Sequence, residues 1–186
     1  MLTSLRIKLR QILFVALACA AVLFPAANAL AQPFGQGVYG AHVPFGSLTS
    51  ISINLGGNVA IALAPSGSNF TGTGSHTVTV TSTDVVGYYL YAHTTGSTNM
   101  ANGSATIPAS SNTTAGPLSV GSWGYNTDGS SNFLGMNSTG VLLKDASGPF
   151  ESGDATTVTY GALVNNTQAA GTYTTAVTYT VVAKNQ

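Results

Sequence analysis

The sequence predicts an all-β chain, a single antiparallel β-sandwich of about seven to nine strands, immunoglobulin-like or jelly-roll-like. Three observations carry this. Apolar residues recur at every second position in short runs. Gly, Pro, Asn and Asp separate those runs. Beyond residue 31, no long stretch carries the 3.6-residue apolar repeat of a helix.

Taken in order, Leu48 to Leu55 alternates, with Ile51, Ile53 and Leu55 on one face and Ser50, Ser52 and Asn54 on the other. Gly56-Gly57 is a turn signal, and Asn58 to Leu63 resumes with Val59, Ile61 and Leu63, so residues 48–63 read as a hairpin. Pro65 to Gly74 reads as a loop. Thr77 to Thr81 points Val78 and Val80 inward, Asp84 to Gly87 turns the chain, and Tyr88 to His93 is apolar on both faces. Such a strand is either central to a covered sheet or uses its outer tyrosines at an interface.

Thr94 to Val120 is a long Ser/Thr/Asn/Gly connection with one short strand expected near Ile107. Ser122 to Tyr125 follows, then a turn over Asn126 to Asn132, and short strands are expected at Phe133–Met136 and Gly140–Asp145. Thr156 to Leu163 and Gly171 to Lys184 are the last two strands. The final one points Tyr173, Val177, Tyr179 and Val181 inward and clothes its outer face in Thr.

The domain plan is a secretory signal over 1–31, an extended arm over 32–46 and the sandwich over 47–186. Arg6, Lys8 and Arg10 precede the apolar run Ile12 to Phe24, and Ala29-Leu30-Ala31 is a small-x-small cleavage site. The arm, Gln32 to Gly46, scatters Phe34, Val38, Tyr39, Val43 and Phe45 among glycines, Pro33 and Pro44. Whether the signal is removed or kept as an anchor is open at this point; cleavage and secretion to the medium or cell surface is the expectation.

Without the signal the chain keeps Lys144 and Lys184 against Asp84, Asp128, Asp145, Glu151 and Asp154, a net charge of −3. Two lysines are no footprint for nucleic acid. The lone Cys19 lies in the signal, so packing and strand pairing, not disulfides, hold the sandwich. No later apolar run reaches the roughly 20 residues of a spanning helix. The 24 Thr and 18 Ser beyond residue 31 supply the solubility that charge does not, and so few charges oppose self-association only weakly.

Three stretches carry a resemblance. They are Ser75–Ser82 leading into Gly87–Tyr91, then Ser122–Asn126, then Ser152–Gly161 leading into Ala170–Thr180. In this order the chain resembles secreted, uncharacterised β-sandwich surface proteins of candidate-phylum bacteria. The last stretch is similar to the closing strand of WxL cell-wall domains. Tyr179-Thr180-Val181 stands where Trp-x-Leu would, so peptidoglycan binding is not implied. The resemblance implies the fold and a surface location, and no activity.

Candidate sites are sparse. No G-x-S-x-G elbow occurs, and His42, His76 and His93 fall in an arm, a loop edge and a strand end. Asp145, Glu151 and Asp154 fall among Gly, Ser and Pro and read as turn residues. Asn126 to Asn132 has oxygen ligands without the full calcium-loop pattern, so no metal is expected. Neither cofactor nor catalysis is expected. Trp123, Tyr125, Tyr89 and Tyr91 are the candidate ligand or interface contacts, with Trp123 weighed first as a core anchor.

The expected function is a secreted or cell-surface structural and adhesive β-sandwich, non-catalytic, assembling with copies of itself. The alternative is a carbohydrate-binding module that stacks sugars on those aromatics, its partners being surface glycans. A secreted hydrolase ranks third and requires His and carboxylates to converge.

Overall fold

The computed structural model describes residues 49–184, which contain ten strands and no helix. The expected signal (1–31) and arm (32–46), with His42, lie outside the described residues. The strands are β1 (Ser50–Leu55), β2 (Ala64–Ser66), β3 (Asn69–Thr83), β4 (Gly87–Thr94), β5 (Met100–Asn102), β6 (Ala105–Ile107), β7 (Ser122–Asn126), β8 (Val141–Ser147), β9 (Phe150–Asn165) and β10 (Val177–Ala183).

Every ladder pairing these strands is antiparallel. The larger sheet runs β1-β3-β9-β7, with β2 also on β3; the smaller runs β10-β4-β8, and β5-β6 is a separate hairpin. The chain is the antiparallel sandwich that its two-residue periodicity predicts.

The core lies between the two sheets. Val78 and Val80 of β3, Trp123 and Tyr125 of β7, and Val158, Tyr160, Ala162 and Val164 of β9 meet Tyr88, Leu90 and Ala92 of β4. Alternation puts each set on one face. β4 is central in its sheet, which explains an apolar residue at nearly every position.

The expected hairpin over 48–63 does not form. β1 pairs instead with β3, Ile51 opposite Ser82 and Leu55 opposite Val78. Residues 58–63 are not a strand. They cross the inner face of β3 where Gly72 and Gly74 lack side chains, so that a Cβ at Gly72 would strike the Ala62 carbonyl and one at Gly74 the Ala60 carbonyl. The expected loop over 65–74 is β2 and the first half of β3. Its glycines make room for the crossing chain while the ladder continues.

Two further expectations are corrected. Phe133–Met136 makes only isolated bridges, Gly116 to Phe133 and Tyr125 to Leu134. Glu151 and Asp154 belong to β9 and Asp145 to β8, because those strands run on through the acidic positions. On the outer face of the larger sheet, Phe133 packs over Gly161; a Cβ there would lie 2.6 Å from its ring.

Substituting Gly72→Ala or Gly74→Ala should dislodge residues 58–63 and cost about 1–3 kcal/mol. Exposed Ser75→Ala on the opposite face should stay within about 0.5 kcal/mol. Urea unfolding of the three variants checks this; equal midpoints would mean that the crossing segment contributes nothing.

Candidate functional site

β3 and β9 are longer than the strands of the smaller sheet, so one end of the larger sheet projects past it. Residues 58–63, the β5-β6 hairpin and the loop before β10 roof that projection. Between roof and sheet lies an open cavity of about 720 Å³, lined among others by Leu55, Val59, Met100, Trp123, Tyr173 and Val177.

One polar chain crosses its wall. Tyr160 and Tyr179 hydroxyls lie 2.5 Å apart, Tyr179 Oη lies 2.6 Å from His76 Nε2, and His76 Nδ1 lies 2.8 Å from the Gly57 carbonyl. A carbonyl only accepts, so Nδ1 carries the proton. Tyr179 then donates to Nε2 and Tyr160 donates to Tyr179. Burial pushes both tyrosine hydroxyls above their ordinary range, and for Tyr160 its Tyr179 and Tyr125 neighbours add to the effect. His76 therefore holds a roof turn to the core. It is not paired with a carboxylate there.

At the opposite end, Asp154 of β9 accepts from Tyr88 Oη of β4 at 2.7 Å and from Lys144 Nζ of β8 at 2.6 Å. These contacts join the two sheets. Burial, then the Asp154 hydrogen bond, pushes the Tyr88 hydroxyl up. Sequence reasoning set Asp154 in a turn, gave Lys144 no partner, and missed this contact. The signal was available in principle, since both residues share the inward parity of their strands.

The four candidate aromatics separate. Trp123 is fully buried and Tyr125 nearly so, both facing inward from β7; the Trp123 indole N–H donates to the Thr98 carbonyl at 3.0 Å. An exposed sugar platform on this pair is ruled out by that placement, though Trp123 forms part of the cavity wall. Burial pushes the Tyr125 hydroxyl up.

Tyr89 and Tyr91 lie half-buried on the outer face of the smaller sheet, ring centroids 6.2 Å apart and tilted by 42°. Their cross-strand neighbours include Val182, 46% exposed, and Leu142, 50% exposed. Lys184 Nζ sits 4.6 Å over the Tyr89 ring and pairs with Asp145.

The turn after β7 is closed by its own side chains. Asn126 Nδ2 donates to the Ser130 and Asn132 carbonyls, and the Ser130 N–H and hydroxyl hold Asp128 below the usual carboxylate range. Among the described residues no group of three His, Cys, Asp or Glu side chains is arranged to hold a metal, and no helix is long and apolar enough to cross a membrane.

In class, then, the chain is an all-β antiparallel sandwich with an apolar cavity at one end. No protein-family model matches it, and no curated protein does. Among solved structures it is similar to a chain of a chaperone–tip adhesin complex of CFA/I fimbriae biogenesis, with 15% identity and a TM-score of 0.48. The likeness covers 73% of this chain and 42% of that one, so this chain spans less than half of its neighbour's length.

Tyr179→Phe should cost about 1–3 kcal/mol in chemical denaturation, since His76 Nε2 loses its donor and Tyr160 its acceptor. The tyrosines set the alkaline limit. Folding raises the hydroxyls of Tyr88, Tyr125, Tyr160 and Tyr179 above the unfolded value of 10.0. The folded state therefore holds protons that the unfolded chain releases. Their contribution is complete below about pH 10 and is lost as pH climbs past it. Circular dichroism against pH should show unfolding together with the rise in tyrosinate absorbance. Full ionisation of all eight tyrosines with the fold intact would contradict this.

Proposed function

We propose that this chain is a secreted or cell-surface structural and adhesive β-sandwich, non-catalytic, that assembles with copies of itself. The reading accords with its resemblance to surface proteins of candidate-phylum bacteria. The single observation that carries it is the uneven protection of the sheet edges.

The β7 edge is covered: Trp123 and Tyr125 exchange backbone hydrogen bonds with Pro108, Ser110 and Leu134. The β8 edge carries Lys144 and Asp145. Among the described residues, β1 and β10 have neither cover nor charge along their strands. Natural sheets block bare edges, because unpaired N–H and C=O groups recruit another strand. A bare edge kept on a chain with almost no charge fits a protein whose partner is another protein strand.

A second reading, glycan binding, is favoured by one feature: the outer patch of Tyr89, Tyr91, Leu142 and Val182, whose rings have the apolar faces that sugars stack on.

Cell fractionation followed by sizing of the chain from Gln32 onward tests the first reading. The protein should appear in the medium or at the surface and form species that grow with concentration. A cytoplasmic monomer at every concentration would overturn it. For the second reading, glycan-array binding should be lost in Tyr91→Ala and unchanged in Trp123→Phe; equal loss in both, or no binding at all, counts against it.

A further inference from the structure

We infer that the seam between β1 and β10 is the seat of residues 39–45 from a second copy of this chain, added as a strand along the free edge of β10. The inference rests on the self-assembly reading above and names the surfaces that meet.

The seam is a gap between the edges of the two sheets. β1 and β10 belong to different sheets and run near each other without hydrogen bonding. Among the described residues, β10 pairs only with β4 and β1 only with β3. Their inward side chains betray the gap. Ile51 and Ile53 of β1, and Val177, Tyr179 and Val181 of β10, are each only half-buried. Their neighbours one strand deeper, Val80, Leu90 and Ala92, are fully buried. At one end, Leu55 is 46% exposed beside Val177 and Tyr179, where the seam runs into the 720 Å³ cavity. A strand laid in the seam completes the burial of these groups, which is favourable in proportion to the apolar area it removes from water.

The chain supplies a segment of the right kind outside the described residues. Tyr39, Ala41, Val43 and Phe45 alternate with Gly40, His42 and Pro44 in sequence, so that in an added strand the four side chains of the first set would share one face. The run is seven residues long, the length of β10. Residues 39–45 carry no Lys, Arg, Asp or Glu, as neither β1 nor β10 does, so no charge is buried and none repels. Pro44 falls on the other parity. The even-numbered positions flanking β10 bond toward β4, so its inward residues face the free edge; a strand added antiparallel pairs through its own inward residues and would turn the missing Pro44 N–H away from β10. Addition of this kind extends the smaller sheet from three strands to four and sets Tyr39 or Phe45 toward the cavity mouth.

The test uses a chain with no other thiol, because Cys19 lies within the expected signal. Two single variants of the 32–186 chain are mixed under mild oxidation: Val181→Cys, inward on β10, with either Ala41→Cys or Val43→Cys. A disulfide between them is intermolecular by construction. At least one pair should give a heterodimer on non-reducing gels, well above the yield with Leu142→Cys on the opposite edge. Val181→Cys must retain the native Trp123 fluorescence.

If copies associate in solution but no pair exceeds the Leu142→Cys background, the seam is wrong while self-assembly stands. If the protein is monomeric throughout, both fall. An intramolecular disulfide in the double variant, with no heterodimer between singles, would show the arm completing its own sandwich and overturn the second-copy seat.

Discussion

The rest of the structure depends on the ladder between β3 and β9. It runs from Asn69 opposite Asn165 to Val80 opposite Asp154, with a register shift before Ser82 meets Phe150. This pairing is the spine of the larger sheet, and its two halves face different surroundings. One half, with Val78, Val80 and Val158 inward, packs on the smaller sheet. The other, with Gly72 and Gly74 inward, has no sheet above it and is roofed by chain. A strand pair longer than its opposing sheet has to find another cover, and that mismatch produces both the roof and the cavity.

The two polar contacts of the interior follow from the same division. Where sheet meets sheet, Asp154 gathers Tyr88 and Lys144 and ties the layers together. Where sheet meets roof, His76 gathers Tyr179 and the Gly57 carbonyl. Asp154, Tyr88, His76 and Tyr179 each have a named partner, which keeps the cost of their burial small, whereas the buried Thr156 hydroxyl has none among the described residues. With no disulfide in the expected mature chain, these contacts and the apolar core are what set the sheets against one another.

Much of the architecture was legible because alternation is a local property. The strands around Val78, Leu90, Trp123, Val158 and Tyr179 can be read from single windows. Pairing is not local. Gly56-Gly57 looked like a hairpin turn, yet β1 joins β3 because Ile53 and Leu55 fit opposite Val80 and Val78. Gly72 and Gly74 looked like loop glycines because their role depends on residues 58–63 passing over them. Among the candidate aromatics, outward parity did identify Tyr89 and Tyr91, while Trp123 and Tyr125 point into the core. The His76–Tyr179 and Tyr88–Asp154 contacts went unseen, since they join residues 103 and 66 positions apart across the fold.

The scarcity of charge bears on the β1 and β10 edges, which are bare among the described residues. Five acidic residues and two lysines serve the whole chain beyond residue 31, and Lys144, Asp145 and Asp154 cluster at β8 and its contact with β9. Charge on β1 or β10 would be the cheapest guard against strand addition, and a single lysine on either outer face would supply it. Thr and Ser stand there instead, residues that suit an exposed strand without repelling another. Thr178 and Thr180 favour the extended conformation that an added strand needs, while half-buried Tyr179 and Val181 leave apolar surface for it to cover. The backbone of this edge, its inward side chains and its lack of charge all suit the same occupant, an uncharged strand with apolar residues at every second position.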